Sequence, residues 1–350
     1  MKNDYFINVI IIRLGMNKTL SLALTTYNGG LYLREQLESI YNQTKVPDEI
    51  VVCDDGSTDE TISILEEYKV KRGLKYFVNN PRLGVNRNFY KAISLCSCDY
   101  IALSDQDDIW LPNKIEITYN KLRELDNDIP IVISSQAIDV DKDCNCIGQK
   151  DDIVDSDEFY QTFLKYDNSQ GCSLMFNKLT KDLVLSTCNC VADYMCFDVY
   201  IAYVAALRGV KYNIGKRLMY YRHHQNNVIG KISQRKMSFI EHIRVQHRFR
   251  HFMIEKQMEY SLCVYNLHKE NIYDDSIHHF FDKIQKIYYS DNKMYCYWII
   301  FSMAELSLIQ KTQIVFGSVV IFTILILPTQ ELGISLHLFM SSLVSFISVL

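Results

Sequence analysis

The chain has 350 residues, 48% apolar and 22% charged, an ordinary globular balance with room for one large domain or a domain plus an appendage. A formal net charge of −4 leaves no electrostatic case for nucleic acid as a partner. The 11 cysteines include the C-x-C pairs Cys96/Cys98, Cys144/Cys146 and Cys188/Cys190 but no pair of zinc knuckles, so they read as free thiols in a reducing cytosol.

Residues 1–16 read as an N-terminal extension. Phe6–Ile12 is apolar, but no small-residue cleavage site follows it, so a cleavable signal is not expected; a leader-like extension and an upstream start both fit. From Leu20 the chain alternates strand and helix signals, the pattern of an α/β domain with a mostly parallel sheet. Leu20–Thr26 is a buried strand, Tyr27–Gly30 a turn, and Leu31–Gln43 a helix with apolar residues at helical spacing. Glu49–Cys53 is the second strand. The next helix runs through Tyr68, with Ser57 or Thr58 as its N-cap. Leu74–Val78 is a strand, Val85–Leu95 a helix, and Tyr100–Leu103 a fourth strand. Pro112 then suits the first turn of a helix, and Ile131–Ser134 is a fifth strand. Residues 139–157 read as a polar surface loop, Gln170–Phe176 as a strand, Phe197–Leu207 as an apolar helix and Leu218–Arg222 as a short strand.

Acidic groups gather where these strands end, and in open α/β sheets ligands bind outside the carboxyl ends of the strands. Asp54-Asp55 follows the second strand, Asp105-Gln106-Asp107-Asp108 the fourth, and Asp198 opens a later helix. Clustered carboxylates repel one another unless a cation sits among them. A hard divalent ion takes one or two carboxylates together with substrate phosphates. The run at 105–108 abuts an apolar strand and leads into Ile109-Trp110, which is unlike a solvated acidic turn. Neither a G-x-G-x-x-G turn nor a G-x-x-x-x-G-K-[ST] loop occurs, so dinucleotide and P-loop chemistry are not indicated. A nucleobase can instead stack near Tyr27 and hydrogen-bond to Asp55.

Several ordered segments carry a resemblance. Leu22-Ala23-Leu24-Thr25-Thr26-Tyr27-Asn28, Leu37–Thr44 and Val51-Val52-Cys53-Asp54-Asp55-Gly56-Ser57-Thr58-Asp59, continued by Asn80, Gly84 and Arg87-Asn88-Phe89, resemble the opening of family 2 glycosyltransferases of the GT-A fold. Ser104–Trp110 and Tyr221–Gly230 resemble the rhamnosyltransferase-like subset. The resemblance covers about residues 17–230. It implies a GT-A nucleotide-diphospho-sugar transferase and an inverting, metal-dependent hexosyltransferase. The donor would be a nucleoside-diphosphate sugar, with rhamnose or another hexose transferred. The acceptor would be a saccharide or lipid-linked saccharide in cell-surface polysaccharide synthesis, and the cofactor Mg²⁺ or Mn²⁺. By the same resemblance Thr25, Tyr27 and Asp55 line the nucleotide pocket and Arg87 lies near the base or diphosphate. Asp105 faces the ribose, Asp107 ligates the metal, His224 reaches the diphosphate or metal, and Asp198 is the catalytic base. The chain departs from the pattern in two places. Cys196-Phe197-Asp198 replaces the usual neighbours of the base, leaving Asp193 as a rival, and the doubled His223-His224 leaves open which imidazole faces the site. A degenerate sugar-nucleotide-binding scaffold is the alternative to an enzyme.

Beyond Gly230 the character changes. Residues 231–311 read as a helical extension, basic at its start through Lys231, Arg235, Lys236, Arg244, Arg248 and Arg250. In the tail, 312–350, Ile314–Leu327 and Ile334–Leu350 carry no Asp, Glu, Lys or Arg. As helices they would reach about 21 Å and about 26 Å at ~1.5 Å per residue, short of a ~30 Å hydrocarbon core. A membrane hairpin, an in-plane anchor and a buried helical pair all fit. The apolarity favours membrane association, and with it a place in the cytoplasm at the inner face of the cell membrane.

Overall fold

The computed structural model describes residues 18–125, 128–147, 155–157, 162–163, 170–224 and 256–290. The chain divides into two compact units, Met1–Thr162 with Asp167–Ile232, and Phe163–Tyr166 with Ser233–Leu350.

The first unit is built on a nine-stranded sheet. Its strands are β1 (Leu20–Thr26), β2 (Glu49–Asp54), β3 (Lys75–Val78), β4 (Tyr100–Ser104), β5 (Ile109–Trp110), β6 (Ile131–Val140), β7 (Ser156–Asp157), β8 (Met175–Asn177) and β9 (Val210–Arg222). They lie in the order β3-β2-β1-β4-β8-β6-β9-β5, with β7 also on β9. β3, β2, β1 and β4 are parallel, β8 runs antiparallel between β4 and β6, and β6 and β9 are parallel. This is a mixed, mostly parallel sheet flanked by helices, the GT-A-like architecture.

β1 is buried along its whole length because helices cover both faces of the sheet. On one face Leu20, Leu22, Leu24, Ile50, Val52, Tyr100 and Ala102 form a core with α1 (Leu33–Tyr41), α2 (Thr61–Arg72) and α4 (Lys114–Leu125). The alternate residues Ala23, Val51, Ile101 and Leu103 are equally buried and, by the two-residue period of a strand, point the other way. There α3 (Val85–Leu95) packs on β1 and β2 and meets α5 (Lys178–Thr187) and α6 (Phe197–Arg208). The chain passes from β1 outward to β2 and β3 and then returns to β4 on β1's other side. The direction of winding therefore reverses beside β1, and in open α/β sheets such a reversal is where the carboxyl ends of the strands, here β1, β2 and β4, form a ligand-binding crevice.

Several expectations need correction. Neither Ser57 nor Thr58 caps α2, because both are engaged in the turn after β2. The Ser57 hydroxyl donates to Asp54, and the Thr58 amide to Asn28 Oδ1 at 2.9 Å. Asp59 instead accepts the Thr61 amide at 3.0 Å. The fifth strand runs on to Val140 and the last begins at Val210, because the two pair along most of their length. What read as a strand from Gln170 is a 3-10 turn, Gly171–Ser173, followed by the short β8.

In the second unit, 256–268 is helical (α7) and Asp275–Tyr288 forms α8. The Asp274 carboxylate caps α8 by accepting the Ser276 amide at 2.8 Å. Phe280, Phe281 and Ile284 form its buried stripe; Tyr265 stacks on Phe281 at 4.3 Å and Phe163 meets the same ring edge-on at 5.1 Å. Among the described residues no helix is long and apolar enough to cross a membrane. The basic stretch 231–251 and the apolar tail 312–350 lie outside the described residues.

Candidate active site

Two acidic centres line the crevice. The first is Asp55, which follows β2 and is 3% exposed. Its carboxylate accepts the Leu83 amide at 2.7 Å, the Gly84 amide at 2.9 Å and Asn79 Nδ2 at 3.0 Å, with Arg82 Nε at 3.5 Å. Burial pushes this carboxyl up, but the Leu83, Asn79 and Gly84 donors and the Arg82 charge outweigh it and hold Asp55 below the ordinary carboxylate range. Asn79 also donates to Asn88 Oδ1 at 2.8 Å, and Asn88 donates to the Cys53 carbonyl at 2.9 Å, so the network is anchored to β2. Its neighbour Asp54 is structural: it accepts the Thr26 hydroxyl and the Gly56 and Ser57 amides, which shapes the turn.

Thr25 is 8% exposed at the end of β1, and Tyr27 just beyond it is 38% exposed. The Arg82 guanidinium lies 3.5 Å from the centre of the Tyr27 ring. Gln106 clips the loop after β1 to the loop after β4: its Oε1 accepts the Tyr27 amide at 2.8 Å, and its Nε2 donates to the Tyr27 carbonyl at 3.2 Å. A Cβ on Gly29 would stand 2.1 Å from that Oε1, so the clip requires glycine there.

The second centre follows β4. Asp105, Asp108 and Cys172 bring one ligand atom each within 4.8 Å of one another. Cys172 joins them because β8 is antiparallel to β4, so the turn that begins β8 abuts the end of β4. Asp108 is 1% exposed, and its Oδ2 has no nitrogen or oxygen partner among the described residues. Burial, then the charges of Asp108, Asp107 and Asp198, raise the Asp105 carboxyl well above its usual range. Burial and then Asp107 push Asp108 up to about 7. Lys114, 1% exposed with Nζ 3.7 Å from the Trp110 ring centre, is lowered to about 8 by burial. These carboxylates have fewer and weaker donors than Asp55: the Cys172 thiol serves both, and Asp108 also accepts the Arg222 amide at 3.3 Å. Two hard oxygen ligands with an orphaned buried oxygen fit a divalent cation of the Mg²⁺ or Mn²⁺ class.

Asp107, expected as the direct metal ligand, lies outside that trio and pairs with His224, Oδ2 to Nε2 at 2.8 Å. His224 stacks on Tyr32 at 4.8 Å, whereas His223 turns to Asp139 at 2.9 Å. Of the doublet, His224 is therefore the imidazole at the acidic loop. Arg222 braces this corner: it donates to the Asp107 carbonyl at 2.9 Å, the Lys142 carbonyl at 2.9 Å and Glu35, and lies 4.7 Å from the Tyr32 ring centre.

Asp198 sits half-buried in the first turn of α6, with its Oδ1 accepting the Val199 amide at 2.8 Å. A Cβ on Gly171, the residue before Cys172, would stand 3.4 Å from the Asp198 Cβ, so Asp198 lies beside the second acidic centre. The rival Asp193 is 77% exposed and forms a bidentate pair with Arg87 at 2.8 and 2.9 Å. Arg87 thus braces the segment before Asp198 in this structure. Thr25, Tyr27, Asp55, Asp105 and Asp107 lie at or just beyond the carboxyl ends of β1, β2 and β4, His224 is joined to them through Asp107 and Asp198 lies beside the turn that carries Cys172; Asn79, Asp108, Cys172 and Arg222 are additions that the sequence does not assign. Asn79 stands beside a recognised motif position, but nothing local marks Cys172.

The model for "Glycosyl transferase family 2" matches residues 21–183. The matched stretch, just under half of the chain, resembles glycosyltransferase family 2. Over 225 residues the chain is 28% identical to the dTDP-rhamnosyl transferase RfbG of Shigella flexneri, covering 59% of this chain and 73% of that one. Over 104 residues it is 33% identical to a chondroitin synthase of Escherichia coli, covering 30% of this chain and only 15% of that protein. Among solved structures it is similar to residues 1–349 of S. aureus TarS in complex with UDP-GlcNAc, with a TM-score of 0.50 at 18% identity, covering 85% of this chain and 79% of that one. That likeness concerns the fold.

Proposed function

We propose that the unit spanning about residues 17–230 is an inverting hexosyltransferase. It moves a sugar from a nucleoside-diphosphate donor to a hydroxyl of a saccharide or lipid-linked saccharide in cell-surface polysaccharide synthesis. A deoxyhexose such as rhamnose is the favoured sugar, supported by the similarity to the Shigella flexneri enzyme. The observation that carries the reading is the convergence of two opposite electrostatic centres and Asp198 at the carboxyl ends of β1, β2 and β4. Asp55 is held charged by protein donors, whereas Asp105 and Asp108 are left to repel.

Thr25, Tyr27 and Asp55 receive the nucleotide, with Asp55 accepting from the base. Arg82, on the Tyr27 face, offers positive charge at the mouth of the same pocket. Asp105 and Asp108 would hold the cation and Asp105 would orient the ribose, while Asp107 and His224, paired with each other, would meet the cation or the diphosphate from the same loop. When bound, Mg²⁺ or Mn²⁺ supplies charge neutralisation for the departing diphosphate. Asp198 takes the proton from the acceptor hydroxyl as its oxygen attacks the anomeric carbon. One displacement with no covalent intermediate inverts the configuration. The apolar tail and the basic stretch before it would place the acceptor at a membrane surface. Flotation with anionic liposomes that requires residues 312–350 supports this; equal flotation without them contradicts it.

A screen of thymidine-, uridine- and guanosine-linked sugars, with Mg²⁺ or Mn²⁺ against EDTA, tests the activity. Metal-dependent release of nucleoside diphosphate from one donor is expected. Binding of a donor without any turnover would favour the degenerate scaffold.

A further inference from the structure

Asp198 is placed by a segment, 192–196, that has no regular structure and leads into α6 at Phe197. One side chain from a different element holds both ends of it. Asn86, in the first turn of α3, donates from Nδ2 to the Ala192 carbonyl at 2.8 Å and the Met195 carbonyl at 3.0 Å. Its Oδ1 accepts the Phe197 amide at 3.1 Å. That amide is one of the donors the first turn of α6 leaves without an intrahelical partner, so Asn86 caps from outside the helix on which Asp198 rides. Cys196 itself supplies no side-chain cap. Phe89, one turn along α3, stacks on Phe197 at 3.9 Å, and a Cβ on Gly171 would stand 2.4 Å from the Phe197 ring. The ring is therefore wedged, and Asp198 follows it directly. Immediately before α3, the Leu83 and Gly84 amides are fixed by Asp55. Asn86 is thus only two residues from the anchor of the nucleotide pocket.

We infer that Asn86 is a positioning residue for Asp198, setting the carboxylate of the base relative to the pocket of Asp55 through the Ala192–Phe197 segment. The inference rests on the reading of Asp198 as the base. Displacements of about 1 Å at a reacting group cost on the order of a hundredfold in rate, so a single clamp of this kind is worth measuring.

The test compares wild type, Asn86→Ala, Asp198→Asn and the double variant, using the panel donor that is hydrolysed fastest and water as acceptor. Asn86→Ala is expected to lower kcat by about tenfold or more with donor KM nearly unchanged. In the Asp198→Asn background it should lower kcat no further, because nothing remains for it to position. Hydrogen exchange, read without any substrate, should quicken at residues 193–199 and stay unchanged in β1 and β2. Equal falls in both backgrounds, a change confined to KM, or unchanged exchange at Phe197 would overturn the inference. If Asp198→Asn itself keeps wild-type turnover, the base assignment fails, and the inference about Asn86 falls with it. If Asp198→Asn loses turnover but the two losses add, the base stands and only the inference fails.

Discussion

Asp55 and Asp108 are both buried acids placed just after parallel strands of one sheet, yet their surroundings are opposite. Asp55 is met by two backbone amides, an asparagine amide and an arginine, which keep it charged with no added ligand. Asp108 has one long backbone contact at 3.3 Å, a thiol donor in Cys172, an oxygen with no nitrogen or oxygen partner, and acidic neighbours whose effect the Lys114 charge only partly offsets. The difference teaches that sign and number of carboxylates do not define a site; the supply of donors does. A carboxylate given its donors by the protein can read a ligand's hydrogen-bonding edge. A carboxylate deprived of them must take up a proton or a cation.

The largest effect expected is on turnover. Asp198→Asn should lower it by about 10²–10⁴-fold with donor affinity nearly unchanged, as loss of general-base assistance does. Near-full turnover in initial-rate assays would remove Asp198 from that role. Next is Asp55→Ala, which strands the Asn79, Leu83 and Gly84 donors in a buried place. A loss of about 3 kcal/mol in chemical denaturation is expected, together with loss of nucleotide binding. Stability within about 0.5 kcal/mol of wild type would mean that this network is not the pocket's support.

The third prediction concerns pH and has opposite signs at the two centres. Asp108 holds its proton up to about 7 in the fold, against ~3.9 in the unfolded chain. Its contribution to stability is thus complete below ~pH 4 and lost as pH rises through about 7. Melting without divalent ions should therefore come at lower temperature near pH 8 than near pH 6, and Mg²⁺ or Mn²⁺ should restore more at the higher pH. Asp55 is lowered, so its contribution is present above ~3.9 and is lost as pH falls through its folded value. A metal effect independent of pH would break the contrast. The smallest effect is that of Asp108→Asn, which above pH 7 removes a repelling charge. It should stabilise the metal-free protein by about 1 kcal/mol while weakening its response to the cation. Destabilisation with an intact response would show that Asp108 is structural.

Much of the first unit was legible because local signals and tertiary needs agree there. β1, β2, β4 and α3 follow from apolar runs that end at turns, and Asp55, Asp105 and Asp198 from their places at strand and helix ends. The less legible parts depend on partners distant in sequence. β6 and β9 lengthen because they pair with each other, and the extra residues are polar enough to read as loop. Cys172 enters the acidic centre only through the antiparallel insertion of β8. The choice between His223 and His224 needed Tyr32 and Asp107, supplied by two other loops. Asn86 carries no signal of its own, since its partners are backbone atoms more than a hundred residues away.

The central claim is that a cation completes the acidic centre so that a sugar nucleotide can bind beside Asp55. Calorimetric titration of the donor found in the screen, with Mn²⁺ and then with EDTA, tests it most directly. The account predicts binding at least about tenfold tighter with the metal, a difference of ~1.4 kcal/mol, and loss of that gain in Asp105→Ala. Equal affinity in both conditions, or an undiminished gain in Asp105→Ala, would contradict it.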